Sequence, residues 1–264
     1  MFPLRNLVMR YGSAAPWLGF FGLILVAWTA LFAMQPSATE LEFARLYGAD
    51  FWATLCAPST AQSGYGTVFL MWALMSAAMM APTFAPTLKT YHDLTKRDAD
   101  AVRTFNSLLV AYLLIWIGFS ALAAGAQLVL AQADLLGEGG ASRSLWLTST
   151  LLAGAGLYQF SPLKSACLTQ CREPLSFFMQ YWQSGAKGAF LMGARLGLVC
   201  LGCCWALMAL GFVGGVMNLI WMGIATVLMA LEKLPEIGRV ITKPLGFALI
   251  AAALITGFVA LGTS

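Results

Sequence analysis

Residues 196–231 read LGLVCLGCCWALMALGFVGGVMNLIWMGIATVLMAL, thirty-six positions without an Asp, Glu, Lys, Arg or His. As one helix they would be ~54 Å long at 1.5 Å per residue, against a hydrocarbon core of ~30 Å. The stretch must therefore fold back, and Gly211, Gly214 and Gly215 allow the tight turn. It reads as two spans, 188–210 and 216–231. The run is continuous rather than alternating, which is the pattern of membrane helices and not of barrel strands.

Working outward, five further runs repeat that character. They predict spans at 17–34, 66–88, 105–131, 145–160 and 244–261, making about seven in a single transmembrane domain over 1–264. The first is long for a signal peptide, and no clean small-x-small cleavage site follows it. Composition agrees: the chain is 60% hydrophobic and only 10% charged, where soluble domains carry about 25% charge. The expected fold is an all-α polytopic helix bundle. Pro82 and Pro86 should kink the second span. Between the first two spans, Phe43, Tyr47 and Phe51 recur at i, i+4 and i+8, a stripe that suits a short surface helix.

The basic residues orient the bundle. The N-terminus, the 89–103 loop, the 161–187 segment and the 232–243 loop alternate to one side and hold twelve of the fifteen Lys and Arg. The opposite side keeps Arg45 and Arg143, and Arg195 lies inside a span. The positive-inside rule puts the twelve in the cytosol, the N-terminus with them and the C-terminus in the periplasm of a bacterial inner membrane. The net charge of +4 is thereby accounted for by the bilayer as partner and asks for no nucleic acid.

Three thiols stand inside the deciding stretch. At 100° per residue, Cys203 lies ~60° to one side of Cys200 and Cys204 ~40° to the other, so all three sulfurs share a helix face. Met208 extends that face by a turn. Cysteine is also a small apolar packing residue, but clustered soft sulfur is what soft metals need. In the second span Met71, Met75 and Met79 form a stripe that reads either as packing or as a thioether ladder for Cu(I). Depth arithmetic with straight helices sets Met75 level with Cys200 and Met71 level with Cys204. Cys167 and Cys171, one turn apart between Pro162 and Pro174, form a second pair on the cytosolic side. Lys164 and Arg172 nearby should lower their pKa values. Arg195 is the one permanent charge deep in a span; it either snorkels or offsets the charge of a metal–thiolate site, with Glu232 as another partner for it. Cys56 has no partner thiol on its side.

These motifs resemble a known family. Trp72-x-x-Met75-x-x-x-Met79-Met80-x-Pro82 is followed by Gly156-Leu-Tyr158-Gln159-x-x-Pro162-Leu-Lys164-x-x-Cys167-x-x-x-Cys171-Arg172-x-Pro174. Then come Cys200-Leu-Gly202-Cys203-Cys204-Trp205-x-x-Met208, Gly215-Val-Met217-Asn218 and Glu232-Lys233. Together they resemble the bacterial predicted metal-binding integral membrane proteins, over roughly residues 70–235. The resemblance implies a polytopic membrane protein that binds metal, without naming the metal or a reaction.

The ligand types point to Cu(I) and leave zinc open, since three thiols supply most of a zinc site. The expected role is metal transport or delivery, with a periplasmic or cytosolic metal-handling protein as partner. Two rivals stand beside it: a thiol–disulfide oxidoreductase using Cys200 and Cys203 with a quinone, and a structural subunit whose sulfurs are packing. No nucleotide loop, Ser/His/Asp triad or paired-carboxylate site supports catalysis by those routes.

Overall fold

The computed structural model describes residues 3–34 and 64–263. The stripe Phe43, Tyr47, Phe51 and the thiol of Cys56 lie outside the described residues. The described chain is all-helical apart from turns. Its helices are α1 (Pro3–Ala33), α2 (Tyr65–Thr95), α3 (Ala101–Gln132), α4 (Leu145–Tyr158), α5 (Pro162–Arg172), α6 (Pro174–Tyr181), α7 (Gly185–Ala209), α8 (Leu219–Lys233) and α9 (Ile237–Thr263).

Five of these provide segments long and apolar enough to cross a membrane: 15–33 in α1, all of α2 and α3, α7 with its following turn, and 237–262 in α9. The expected spans 145–160 and 216–231 are present as helices of only 14 and 15 residues, ~21–23 Å long and short of a full ~30 Å core. The fold-back is where the glycines put it. After Ala209 comes one turn, Gly211–Gly214, and Gly215 adopts φ +93°, which an L side chain rarely tolerates. The Asn218 side chain then caps α8 by accepting from the Ile220 and Trp221 N–H groups, the usual service of an N-cap. Ser161 does the same for α5, with Pro162 at its first turn.

The core is built on α2, α3 and α7. Helix α3 returns antiparallel to α2, tied by Ser76 to Ser120 at 2.9 Å and by the Trp72 indole donating to Gln127 at 2.7 Å. Helix α7 runs parallel to α3 at close quarters. A Cβ at Gly193 would strike the Leu108 backbone, and one at Gly197 would meet Ile115. In lipid such small residues set how near two helices come, because packing replaces the hydrophobic drive. Helix α9 is largely exposed and packs on α4, where Gly156 seats against Ile250.

Helix α2 continues through both prolines. Pro82 has no N–H, so the carbonyl of Ala78 loses its helical donor. The indole of Trp28 on α1 donates to that carbonyl at 3.1 Å. A buried carbonyl left alone in an apolar medium is costly, and α1 removes that cost here.

Candidate metal centre

Helix α7 delivers Cys200, Cys203 and Cys204 on one face, as the 100° periodicity requires. They are 3%, 0% and 1% exposed. Their sulfurs all lie within 4.8 Å of one another, with Cys203 Sγ 3.3 Å from Cys204 Sγ. Cys203 also donates to its own helix, at the Cys200 carbonyl, 3.1 Å away.

The second thiol pair joins them. Helix α5 lies against α7, and a Cβ at position 202 would come within 2.7 Å of the Cys167 sulfur, so Gly202 makes that approach possible. One turn on, Cys171 Sγ is 3.9 Å from Cys203 Sγ. The second pair on the cytosolic side thus lies against the α7 trio, Cys171 through Cys203 and Cys167 through Gly202. All five are free. The expected lowering of the pair's pKa fails for Cys167: burial pushes its thiol up, and the nearby Cys200 adds to the rise. Lys164 does not offset this, because its ammonium is engaged elsewhere.

That engagement is a buried ion pair. Lys164 Nζ donates to Glu232 Oε2 at 2.8 Å, and both side chains are 1% exposed. Arg172 donates to the Glu232 carbonyl at 2.8 Å and to Thr242 at 3.2 Å. Burial lowers the pKa of that guanidinium. Glu232 therefore pins α5, the carrier of Cys167 and Cys171, to the end of α8.

The next residue completes the centre. Lys233 Nζ lies 3.1 Å from Cys200 Sγ and 2.6 Å from Thr83 Oγ1 of α2. The Tyr112 hydroxyl of α3 stands 3.0 Å from the same sulfur and also donates to the Met80 carbonyl. Cys200 thus has two hydrogen-bonding partners, Tyr112, absent from the sequence motifs, and Lys233, present in them without a role at the thiols. Arg195, expected to balance the charge, lies elsewhere: it is exposed, with its guanidinium 4.1 Å from the centre of the Tyr181 ring. The cation at the sulfurs is Lys233. Its signal in the sequence was its place, the first cation after thirty-six uncharged residues and one Glu.

The methionine stripe also lies at another level than straight helices of equal start would give. Through Tyr112 and Lys233, the α2 residues level with Cys200 are Met80 and Thr83. Met75 and Met71 are buried but sit ~7.5 and ~13.5 Å from Met80 toward the start of α2, at 1.5 Å per residue. The arithmetic assumed equal starting levels, whereas α2 is 31 residues long and overshoots one core thickness. Met79 is next to Met80, and Met208, also buried, follows Cys204 by one turn. Both short helices end at this same level. The Tyr158 hydroxyl at the end of α4 donates to the Gly202 carbonyl, and α8 ends at Lys233.

The donor set suits a soft ion, since sulfur is what the three clustered ligands offer. Two thiolates on a monovalent ion would leave a charge of −1, and the Lys233 ammonium, 3.1 Å from Cys200 Sγ, would offset it. Membrane-length apolar helices and a buried cluster of three thiols beside a half-buried ammonium define a membrane-type helical protein with a candidate soft-metal site. Within that class, the family described as PpoB2, copper chaperone, matches residues 69–256, and the chain belongs to it. The match runs from α2 into α9 and takes in the whole thiol cluster. No curated protein and no solved structure matches the chain.

Proposed function

We propose that this protein is a multi-pass copper chaperone of the bacterial inner membrane. It holds Cu(I) as cargo between the thiolates of Cys200, Cys203 and Cys204 and gives it up to a metal-handling partner. The observation that carries this reading is the trio of mutually close sulfurs with Lys233 against one of them. Membership of a family whose description names copper supports it. The remaining parts of the topology are proposed with it: α4 and α8 count as two shorter spans, seven in all, with the N-terminus cytosolic and the C-terminus periplasmic. Met71 and Met75 stand outside the ligand set, and Cys167 and Glu232 hold α5 in place.

The test is elemental analysis of detergent-purified protein kept reduced. The wild type should hold copper, and the C203S/C204S double variant should lose it. Serine is nearly isosteric, so folding should survive. Copper-free wild type, or a double variant with its full copper, would return the sulfurs to a packing role.

A further inference from the structure

Cys171 differs from the α7 trio in what lies on its other side. One side of it faces Cys203, at 3.9 Å between sulfurs. The other lines a cavity of about 370 Å³ between α2, α8 and the α5–α6 junction, walled by Pro82, Pro86, Pro174 and Ala230 among others. Lys233 lines it too. Cys171 and Lys233 are therefore the two groups common to cavity and cluster. Cys200, Cys203 and Cys204 do not line it, and each is at least 97% buried, whereas Cys171 is partly exposed. Cys167 packs against Gly202 and stays out of the cavity. The rest of the wall is mainly apolar, with the hydroxyl-bearing Thr83, Thr87 and Thr90 and the cations Arg172 and Lys233 but no carboxylate, so Cys171 is its one soft ligand and favours a soft ion.

We infer that Cys171 is the transfer thiol through which Cu(I) passes between this cavity and the buried trio, an inference that rests on the copper reading above. Sulfurs 3.9 Å apart can share one ion with bonds of about 2.3 Å, the length a thiolate makes to zinc. On the way out, Cys171 Sγ bonds to Cu(I) and releases its proton to water in the cavity. The Cu–S bond to Cys203 then breaks and Cys203 takes up that proton; the Cu–S bonds to Cys200 and Cys204 break as the acceptor's ligands bond to the copper at the cavity, and each freed thiolate takes a proton from water. Copper remains Cu(I), and no electron changes hands. On the way in the same steps run backwards. The cavity opens among the ends of α2 and α8 and the start of α6, the end of the bundle that the Lys/Arg count assigns to the cytosol.

The experiment loads wild-type, C171S and A230F proteins with Cu(I) in detergent under reductant and follows release to excess bicinchoninate by stopped flow. C171S should keep the wild-type copper content, because the trio is untouched. It should release copper more slowly by on the order of tenfold, because a hydroxyl is a poor soft-metal ligand. A230F fills the cavity without touching a sulfur and should slow release as well, which keeps the inference open to test if C171S folds badly. Release at the wild-type rate by either variant overturns it. So does a C171S protein that folds but holds no copper, since Cys171 would then be a resident ligand. Wild type without copper defeats the copper reading and this inference together, whereas normal loading with unchanged rates defeats this inference alone.

Discussion

Replacing Lys233 with methionine tests the charge logic of the centre most directly. Methionine keeps much of the volume and removes the ammonium. At 3.1 Å from Cys200 Sγ, a unit positive charge attracts a thiolate by about 5 kcal/mol at an effective dielectric of ~20. Lys233 is not fully buried and the cavity beside it admits water, so screening takes a large share of that. Removing one partner of such a pair costs about 2–5 kcal/mol, and the lower end, about 2–3 kcal/mol, fits this exposure. The K233M protein should bind Cu(I) about 30- to 150-fold more weakly, taking 1.4 kcal/mol per factor of ten. Competitive titration against a colourimetric Cu(I) chelator measures this, alongside thermal unfolding of the apo protein. Affinity within threefold of wild type, with unfolding unchanged, would show that the ammonium contributes nothing to the bound state and would refute the argument from Cys200.

The buried Lys164–Glu232 pair should behave asymmetrically. K164M alone leaves a carboxylate uncompensated and should destabilise by about 3–5 kcal/mol, while K164M/E232L should recover most of the loss; thermal unfolding of the three proteins decides it. G193V would drive a branched side chain into the Leu108 backbone and should cost about 1–3 kcal/mol of stability, read as a lower unfolding temperature, and equal stability would mean that α3 and α7 are not held that close. For orientation, reporters joined after residue 95 should read cytosolic and those after residues 138 and 264 periplasmic. A cytosolic C-terminus would overturn the seven-span proposal, with α4 or α8 failing to cross.

Much of this was legible in the sequence because helix periodicity is local. The shared face of Cys200, Cys203 and Cys204 follows from 100° per residue, and the fold-back at Gly211–Gly215 follows from the length of an uncharged run. What was not legible depends on neighbours. Nothing in the spacing brings Cys171 to Cys203, thirty-two residues away; Gly202 does so by lacking a side chain under Cys167. Arg195, inside an apolar span, and Lys233, at the end of another, are both cations flanking the thiols in sequence, and only packing decides which one meets the sulfurs. The methionine stripe was placed by counting residues from an assumed membrane edge, and a helix of 31 residues removes that reference level.

The Trp28–Ala78 hydrogen bond bears on where this protein can be cut. The family match begins at residue 69, beyond α1, which makes residues 69–256 look like a natural expression fragment. Yet the carbonyl that Pro82 strips of its donor lies inside that fragment, and its replacement donor lies outside it. A chain trimmed to the matched region would place an unpaired carbonyl against lipid four residues from Pro82 and five from Thr83, on the helix that supplies one wall of the thiol cluster. The smallest piece able to fold as the whole does therefore includes α1, so the limits of sequence similarity and the limits of the cooperative unit fall at different residues.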